Sequence, residues 1–146
     1  MNNPEPAGIN FLVLDASLWV SRLVEQDEMH SVVKNWMDVQ RDAGTLFISP
    51  VFLLAEVGGA ITRRTGEPSL GKRAISALED LPGLRLVGTD DELMHTAAKL
   101  AADLGLRGAD SIYVAVAYQL DLPLVSLDLD QLQRAGTQVK LKEIVP

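Results

Sequence analysis

The sequence contains no cysteine and only two histidines, His30 and His95. The absence of cysteine excludes disulfide bonds, thiol catalysis, iron–sulfur clusters and zinc–thiolate sites, and it fits a reducing cytoplasm, where we expect the protein to be located. Two histidines also disfavour a histidine-rich zinc site. We therefore expect any metal site in this sequence to use oxygen ligands.

Long apolar runs are also lacking. No stretch reaches the ~20 residues that a membrane-spanning helix needs, so no membrane partner is expected. The first residues, MNNPEPAGIN, have neither a basic region nor an apolar core, which argues against a signal peptide and predicts a flexible tail over 1–10. The length of 146 residues predicts a single domain over 1–146.

An excess of positive charge is absent as well. The net charge is −7 and the isoelectric point is about 4.7, which argues against broad electrostatic binding of nucleic acid. Basic residues do cluster locally, at Arg63, Arg64, Lys72 and Arg73. Such a cluster is usually a solvated helix end, but Arg63 and Arg64 are also candidates for phosphate contacts because their predicted helix carries Glu56.

Apolar strands and amphipathic helices alternate along the chain. The run FLVLD at 11–15 predicts a strand buried on both faces, as in a parallel sheet. Further strands are predicted over 45–48, 84–87, 124–127 and 137–141, and helices over 17–26, 28–42, 50–64, 68–80, 90–104, 109–120 and 129–134. Ser49 and Pro50 are interpreted as the cap and first residue of one helix, and Thr89 as the cap of another. This order predicts a three-layer α/β/α sandwich with a mostly parallel central sheet of about five strands.

Four carboxylates interrupt strongly apolar stretches. Asp15 lies in FLVLDASLWV, Glu56 in PVFLLAEVGGAI, Asp110 in GADSIYVAVAY and Asp128 in PLVSLDLDQL. Burying an unpaired carboxylate is costly, so such groups are normally paired, hydrogen-bonded or bound to a cation. A shared divalent cation would explain all of them.

Each acid also has an ordinary structural interpretation. Asp15 and Asp128 could cap the helices that follow them, and Asp110 could be a helix-start acid. Glu56, expected about two turns into its helix, could pair with an arginine of that helix or with a distant base. If the first and fourth strands are neighbours, however, Asp15 and Asp128 open onto one crevice at the carboxyl ends of the strands, where ligands bind in open parallel sheets.

Four segments carry a resemblance to a known family. They are VLDASLWV at 13–20, SPVFLLAEVGGAITRR at 49–64, LRGADSIYVAVAYQLDLPLVSLD at 106–128 and the trailing LDQLQRAG. In order and spacing the chain resembles PIN domains, and among them the VapC-type toxins of bacterial toxin–antitoxin pairs. Each motif alone is degenerate, and their order along nearly the whole chain makes the resemblance specific.

The resemblance implies an endoribonuclease that depends on Mg²⁺ or Mn²⁺, in which a metal-activated water cleaves RNA phosphodiester bonds. The family's acidic quartet corresponds to Asp15, Glu56, Asp110 and Asp128, all catalytic. Asp15, Asp110 and Asp128 would ligate the metal, and Glu56 would hold a metal-bound water or orient the nucleophile. The supporting residues implied are Ser17, Ser126 (where the family more often has threonine) and the additional acid Asp130. The implied partners are an RNA substrate, a cognate antitoxin and a second copy in a homodimer.

Two other functions are open. An aspartate-based phosphatase or phosphoacceptor domain could use Asp15 as its nucleophile, but one such class has a second aspartate two residues later, where this chain has Ser17. A non-catalytic PIN-like module could bind RNA or protein without cutting it. A missing acid would favour that function, and no acid of the quartet is missing.

Overall fold

The computed structural model describes residues 8–144, and within that range it contains a sheet of four parallel strands. The strands are β1 (Phe11–Leu14), β2 (Leu46–Pro50), β3 (Leu84–Val87) and β4 (Leu124–Val125). The helices are α1 (Ala16–Leu23), α2 (His30–Asp42), α3 (Leu53–Thr65), α4 (Pro68–Glu79), α5 (Asp91–Leu104), α6 (Gly108–Leu120) and α7 (Leu129–Ala135). The strand order is β3-β2-β1-β4, so β1 lies between β2 and β4.

Helices cover both faces of this sheet. The apolar helix α6 packs against β1, β2 and β4, and its residues 111–117 are all buried. Trp19 of α1 and Trp36 of α2 pack on Phe47 of β2, with ring centroids 5.9 and 6.4 Å from that of Phe47. Val13 and Leu14 of β1 are completely buried, as the continuous apolar run predicted. The predicted three-layer α/β/α sandwich with a parallel central sheet is confirmed.

The predicted fifth strand, 137–141, is reduced to a single bridge between Leu124 and Leu141. The backbone N–H of Leu124 donates to the backbone carbonyl of Lys140 at 2.9 Å, and the N–H of Lys142 donates to the carbonyl of Leu124 at 3.0 Å. The predicted strand 124–127 is likewise short, Leu124–Val125, and its pairing with 137–141 does not extend beyond this bridge. The described residues therefore form a sheet of four strands instead of about five.

Two predicted helix starts are wrong. Ser49 and Pro50 are the last residues of β2, and α3 begins later, at Leu53. The buried Ser49 hydroxyl donates to the Leu14 carbonyl and accepts from Trp19 Nε1 at 3.3 Å, so it joins β2 to β1 and α1 instead of capping a helix. At α5 the cap is Asp90, whose Oδ1 accepts from the Leu93 N–H at 2.8 Å, and not Thr89.

The predicted flexible tail over 1–10 falls mostly on residues 1–7, which lie outside the described residues, so it stays a prediction. Between residues 8 and 144 no helix is both long and apolar enough to cross a membrane.

Helices α3 and α4 approach each other closely at two glycines. A Cβ on Gly71 would lie 2.7 Å from the Gly58 carbonyl oxygen and 2.5 Å from Thr62 Oγ1. A Cβ on Gly58 would instead meet the end of the flexible Ile75 side chain, at 2.7 Å. A backbone carbonyl cannot move without moving its helix, whereas a terminal methyl group can turn away. Only Gly71 is therefore required by the packing of these helices.

We predict that Gly71→Ala destabilises the protein although alanine has the higher helix propensity. Overpacking should lower the free energy of unfolding by about 1–3 kcal/mol, more than the ~1 kcal/mol that alanine's helix propensity adds. Gly58→Ala is the matched control, with a near-neutral change expected. Urea denaturation of both variants measures this, and a Gly71→Ala variant more stable than the parent would contradict the prediction.

Candidate active site

The carboxyl ends of β1 and β4 open onto a cleft of about 880 Å³. Because these parallel strands are neighbours, the residues that follow them meet at one edge of the sheet. Asp15 directly follows β1, and Asp128, shortly after β4, is the cap that precedes α7. Asp110 in the first turn of α6 and Glu56 in the first turn of α3 complete the set. The structure thus places all four predicted carboxylates along a single cleft.

Asp15 is the buried member, with only 5% of its surface exposed. Its Oδ1 accepts hydrogen bonds from the Ser17 N–H, at 3.0 Å, and from the Ser17 hydroxyl, and its Oδ2 accepts one from the Ser126 hydroxyl. Burial raises the pKa of Asp15 from 3.8 to about 6, against the lowering effect of the Ser126 and Ser17 hydrogen bonds, and nearby Asp110 adds to the rise. Asp15 also caps α1, so capping and cleft lining coexist in one side chain.

Glu56 is half-buried and lies closer to the helix start than predicted. Since α3 begins at Leu53, Glu56 falls in the first turn and not two turns in. Its Oε1 is buried without a hydrogen-bond partner among the described residues, and so is the hydroxyl of neighbouring Tyr113. Burial raises the pKa of Glu56; the Tyr113 hydroxyl, which lies nearby without meeting hydrogen-bond geometry, lowers it, the charge of Asp110 raises it further, and that of Arg63 lowers it. An unpaired carboxylate oxygen at this position is suited to accept a hydrogen bond or a cation.

Asp110 and Asp128 are less enclosed than the sequence pattern predicted. Burial is the main cause of the raised pKa of half-buried Asp110, and the negative charge of Asp128 raises it further. The charge of Arg107 lowers this pKa, and that of Asp130 raises it again. Asp128 is exposed, and its Oδ1 caps α7 by accepting from the Gln131 N–H at 3.1 Å. The premise that all four acids interrupt buried stretches is therefore wrong for Asp128, because an apolar pattern does not show where a strand ends and a surface helix begins.

The two predicted serines lie where they were expected, and the additional acid does not. The Ser17 hydroxyl accepts from the Leu127 N–H at 3.0 Å, and the Ser126 hydroxyl donates to Asp15, so both tie the segment after β1 to the segment after β4. Within its own segment, Ser126 also accepts from the Asp128 N–H at 3.0 Å. Asp130 is exposed, forms an ion pair with Arg134 at 3.0 Å and does not line the cleft. Its connection to the site is its charge, which acts on Asp110.

The residues of the cleft fit a hydrated divalent cation better than a dehydrated one. Among residues 8–144 no group of three or more Asp, Glu or His side chains could hold a metal ion by itself. Yet the pKa values of Asp15, Glu56 and Asp110 are all raised, by burial first and partly by neighbouring carboxylates, which a cation would relieve. Mg²⁺ usually keeps several waters and binds one or two carboxylates together with substrate phosphates. The donor set is chemically suitable for such an ion.

Three arginines line the same cleft: Arg63, Arg64 and Arg107. Arg64 is held by Asp27 of the α1–α2 loop, with Nη1 and Oδ2 2.8 Å apart. Arg63 and Arg107 form no ion pair within the described part of the chain. The other members of the basic cluster, Lys72 and Arg73, do not line the cleft.

Sequence reasoning missed Arg107 and the buried Gln131 as residues of the cleft. Arg107 directly precedes α6 within the segment that carries Asp110, so its position could have been noticed. Gln131 gave no signal, because a glutamine among polar helix residues is normally exposed.

Solved structures with the same fold include a bacterial toxin. VapC20 from Mycobacterium tuberculosis, described as a toxin that cleaves the sarcin–ricin loop, is 17% identical with a TM-score of 0.72, over 90% of this chain and 98% of that one. VapBC2 from Rickettsia felis, bound to a DNA fragment from its promoter, is 12% identical with a TM-score of 0.69, over 91% of this chain and 98% of that one. FitAcB from Neisseria gonorrhoeae is 19% identical with a TM-score of 0.65, over 89% of this chain and 95% of that one. Such low identities establish a shared fold.

The sequence matches none of the curated proteins. The PIN domain family model, in contrast, matches residues 12–137, which include the four cleft carboxylates and every strand and helix except the start of β1. The fold, its parallel sheet and the order of its motif segments agree with that match. The chain therefore belongs to the PIN domain family.

Proposed function

We propose that this protein is a metal-dependent endoribonuclease and the toxin of a type II toxin–antitoxin pair. The observation that carries the proposal is the convergence of Asp15, Glu56, Asp110 and Asp128 from four separate segments onto one cleft. Raised pKa values mark three of these carboxylates as short of positive charge. Clustered hard oxygen ligands beside unpaired arginines suit a divalent cation and a phosphodiester.

Each residue then has a specific role. Asp15 and Asp110 would hold Mg²⁺ or Mn²⁺, and the exposed Asp128 would contribute directly or through water. Such an ion lowers the pKa of a bound water and stabilises charge on a leaving oxygen. Glu56, whose Oε1 lacks a partner, orients the attacking water. Ser17 and Ser126 fix the orientation of the Asp15 carboxylate, and Asp130 adds negative charge near Asp110.

The geometry of Asp15 argues against an aspartate-based phosphatase or phosphoacceptor. Its two oxygens are both engaged by serine hydroxyls, and 5% of its surface is exposed. Oδ2 accepts a single hydrogen bond and so keeps a lone pair for a small cation, whereas attack on phosphorus needs room for a whole phosphoryl group beside that oxygen, which this buried arrangement does not offer. A non-catalytic binding module is the remaining alternative, and the activity experiment below separates the two.

RNA, an antitoxin and a second copy of the chain are the partners we propose, in the cytoplasm. Support comes from the structural neighbours, since VapC20 is described as a toxin that cleaves the sarcin–ricin loop and VapBC2 as bound to a DNA fragment from its promoter. A monomer by light scattering at micromolar concentration would contradict the homodimer.

We predict that Asp15→Asn and Asp110→Asn each reduce metal-dependent RNA cleavage by more than ~100-fold, since loss of even a supporting group at a metal site costs 10–100-fold. Cleavage of cellular RNA is measured with Mg²⁺, with Mn²⁺ and with EDTA. Asp103→Asn, an exposed acid of α5 outside the cleft, is the matched control and should cleave normally. Cleavage that survives EDTA or either cleft substitution refutes the proposed mechanism.

The raised pKa of Asp15 predicts a pH-dependent stability in the absence of metal. Between pH 3.8 and about 6 the folded protein retains a proton that the unfolded chain has lost, so the free energy of unfolding falls as pH rises through this window. At pH 7.5 Asp15→Asn should therefore be more stable than the parent by up to about 3 kcal/mol, with no advantage below pH 4. Urea denaturation with EDTA at several pH values measures this. Equal stability of parent and variant at pH 7.5 would show that the buried charge costs nothing.

The unpaired arginines should hold RNA phosphates. We predict that Arg63→Ala weakens RNA binding and reduces the slope of log affinity against log salt by about one, since each phosphate contact releases counterions. Fluorescence anisotropy at a series of salt concentrations measures both, with Asp15→Asn as the background to prevent cleavage. Arg73→Ala, on α4 and outside the cleft, is the control. An unchanged salt slope in Arg63→Ala would remove Arg63 from the interface.

A further inference from the structure

Gln131 of α7 is 1% exposed, although the helix around it lies at the surface. Its neighbours Leu129, Asp130 and Gln133 are all exposed. Gln131 also lines the cleft that holds the four carboxylates. Burying a neutral amide is costly unless its groups are hydrogen-bonded, so its contacts indicate what it does there.

Those contacts reach two of the segments that form the cleft, the segment after β4 and the start of α6. Oε1 lies 3.0 Å from the Ser126 hydroxyl oxygen after β4. Nε2 donates to the Asp110 carbonyl in the first turn of α6, at 3.4 Å. The backbone N–H donates to Asp128 Oδ1 at 3.1 Å. One residue thus joins the positions of Asp110 and Asp128 to the serine that contacts Asp15.

The Ser126 hydroxyl lies between two acceptors, Asp15 Oδ2 and Gln131 Oε1. A hydroxyl has one hydrogen, so it can donate fully to only one of them at a time. Gln131 therefore competes with Asp15 for this hydrogen. The competition leaves more negative charge available on Asp15 Oδ2 than a serine serving Asp15 alone would leave.

We propose that Gln131 is a positioning residue that organises the carboxylate cluster for its cation, through Ser126 and through the start of α6. The proposal rests on the proposed metal-dependent function and adds a residue to it. Gln131 itself touches neither cation nor substrate; it fixes where Asp15 and Asp110 present their oxygens.

Gln131→Met tests this because methionine fills a similar volume and makes none of the side-chain hydrogen bonds. Ser126 keeps Asp15 and the Asp128 N–H as partners, so no buried hydroxyl is left unsatisfied. Since the large cost of losing one hydrogen-bond partner comes from leaving the other unsatisfied, the fold should tolerate this change with little effect on stability. A purely structural role and a positioning role therefore differ in what they predict.

We expect Gln131→Met to leave the Tm measured without metal little changed while weakening Mn²⁺ binding, by isothermal titration calorimetry, by about tenfold or more. With RNA, kcat should fall and KM should stay unchanged. Gln133→Met, at an exposed position of the same helix, should alter none of these quantities. Gln131→Asn is a second variant, to be used if Gln131→Met fails to fold. It keeps the amide but is too short to reach both Ser126 and Asp110, so it should show the same loss of Mn²⁺ affinity.

The outcomes separate the two proposals. If the parent protein binds Mn²⁺ and the folded Gln131 variants bind it equally well, the positioning role is wrong and the proposed function stands. If the variants lose Mn²⁺ affinity only in proportion to a loss of Tm, Gln131 is structural and the positioning role is again wrong. If the parent binds no Mn²⁺, the proposed function fails and the role of Gln131 fails with it.

Discussion

The carboxylate of Asp15, buried at the end of the central strand β1, is the constraint around which the cleft is arranged. A buried carboxylate requires hydrogen-bond donors. It receives them from Ser17, two residues away, and from Ser126, which is 111 residues further along the chain. Satisfying this one group therefore fixes α1 to β1 and brings the segment after β4 to the same place. The Leu127 N–H, which donates to the Ser17 hydroxyl, closes the arrangement from the other side.

Without a bound cation, the negative charges of the cleft are electrostatically unfavourable. Burial and mutual repulsion raise the pKa values of Asp15, Glu56 and Asp110, and the arginines at the edge offset this only in part. Glu56 Oε1 has no partner among the described residues. A fold that keeps such groups at an accessible edge of its sheet sacrifices stability there, which is typical of sites that bind a charged ligand. This cost is the physical support for a cation in the proposed function.

The segments of the chain were predictable because their signals are local. The apolar run before Asp15 made β1 a buried parallel strand, and Gly66 and Gly105 end α3 and α5 in the left-handed conformation. Errors arose where a side chain serves a distant element. Ser49 looks like a helix cap, but its hydroxyl is used by Leu14 and Trp19. Gln131 looks exposed, but its amide bonds to residues of two other segments.

By itself, the sequence determined the α/β alternation, the identity of the four cleft acids and the family to which the chain belongs. These follow from residue type and spacing, which need no knowledge of partners distant in the chain. Only the tertiary structure decided that β1 and β4 are neighbours, and therefore that Asp15 and Asp128 share a cleft. It also decided that Asp15 is the buried acid, that Arg64 forms an ion pair with Asp27, and that the Gln131 amide bonds to the Asp110 carbonyl. Burial and hydrogen-bond partners depend on the packing of elements far apart in the chain, and no local pattern encodes that packing.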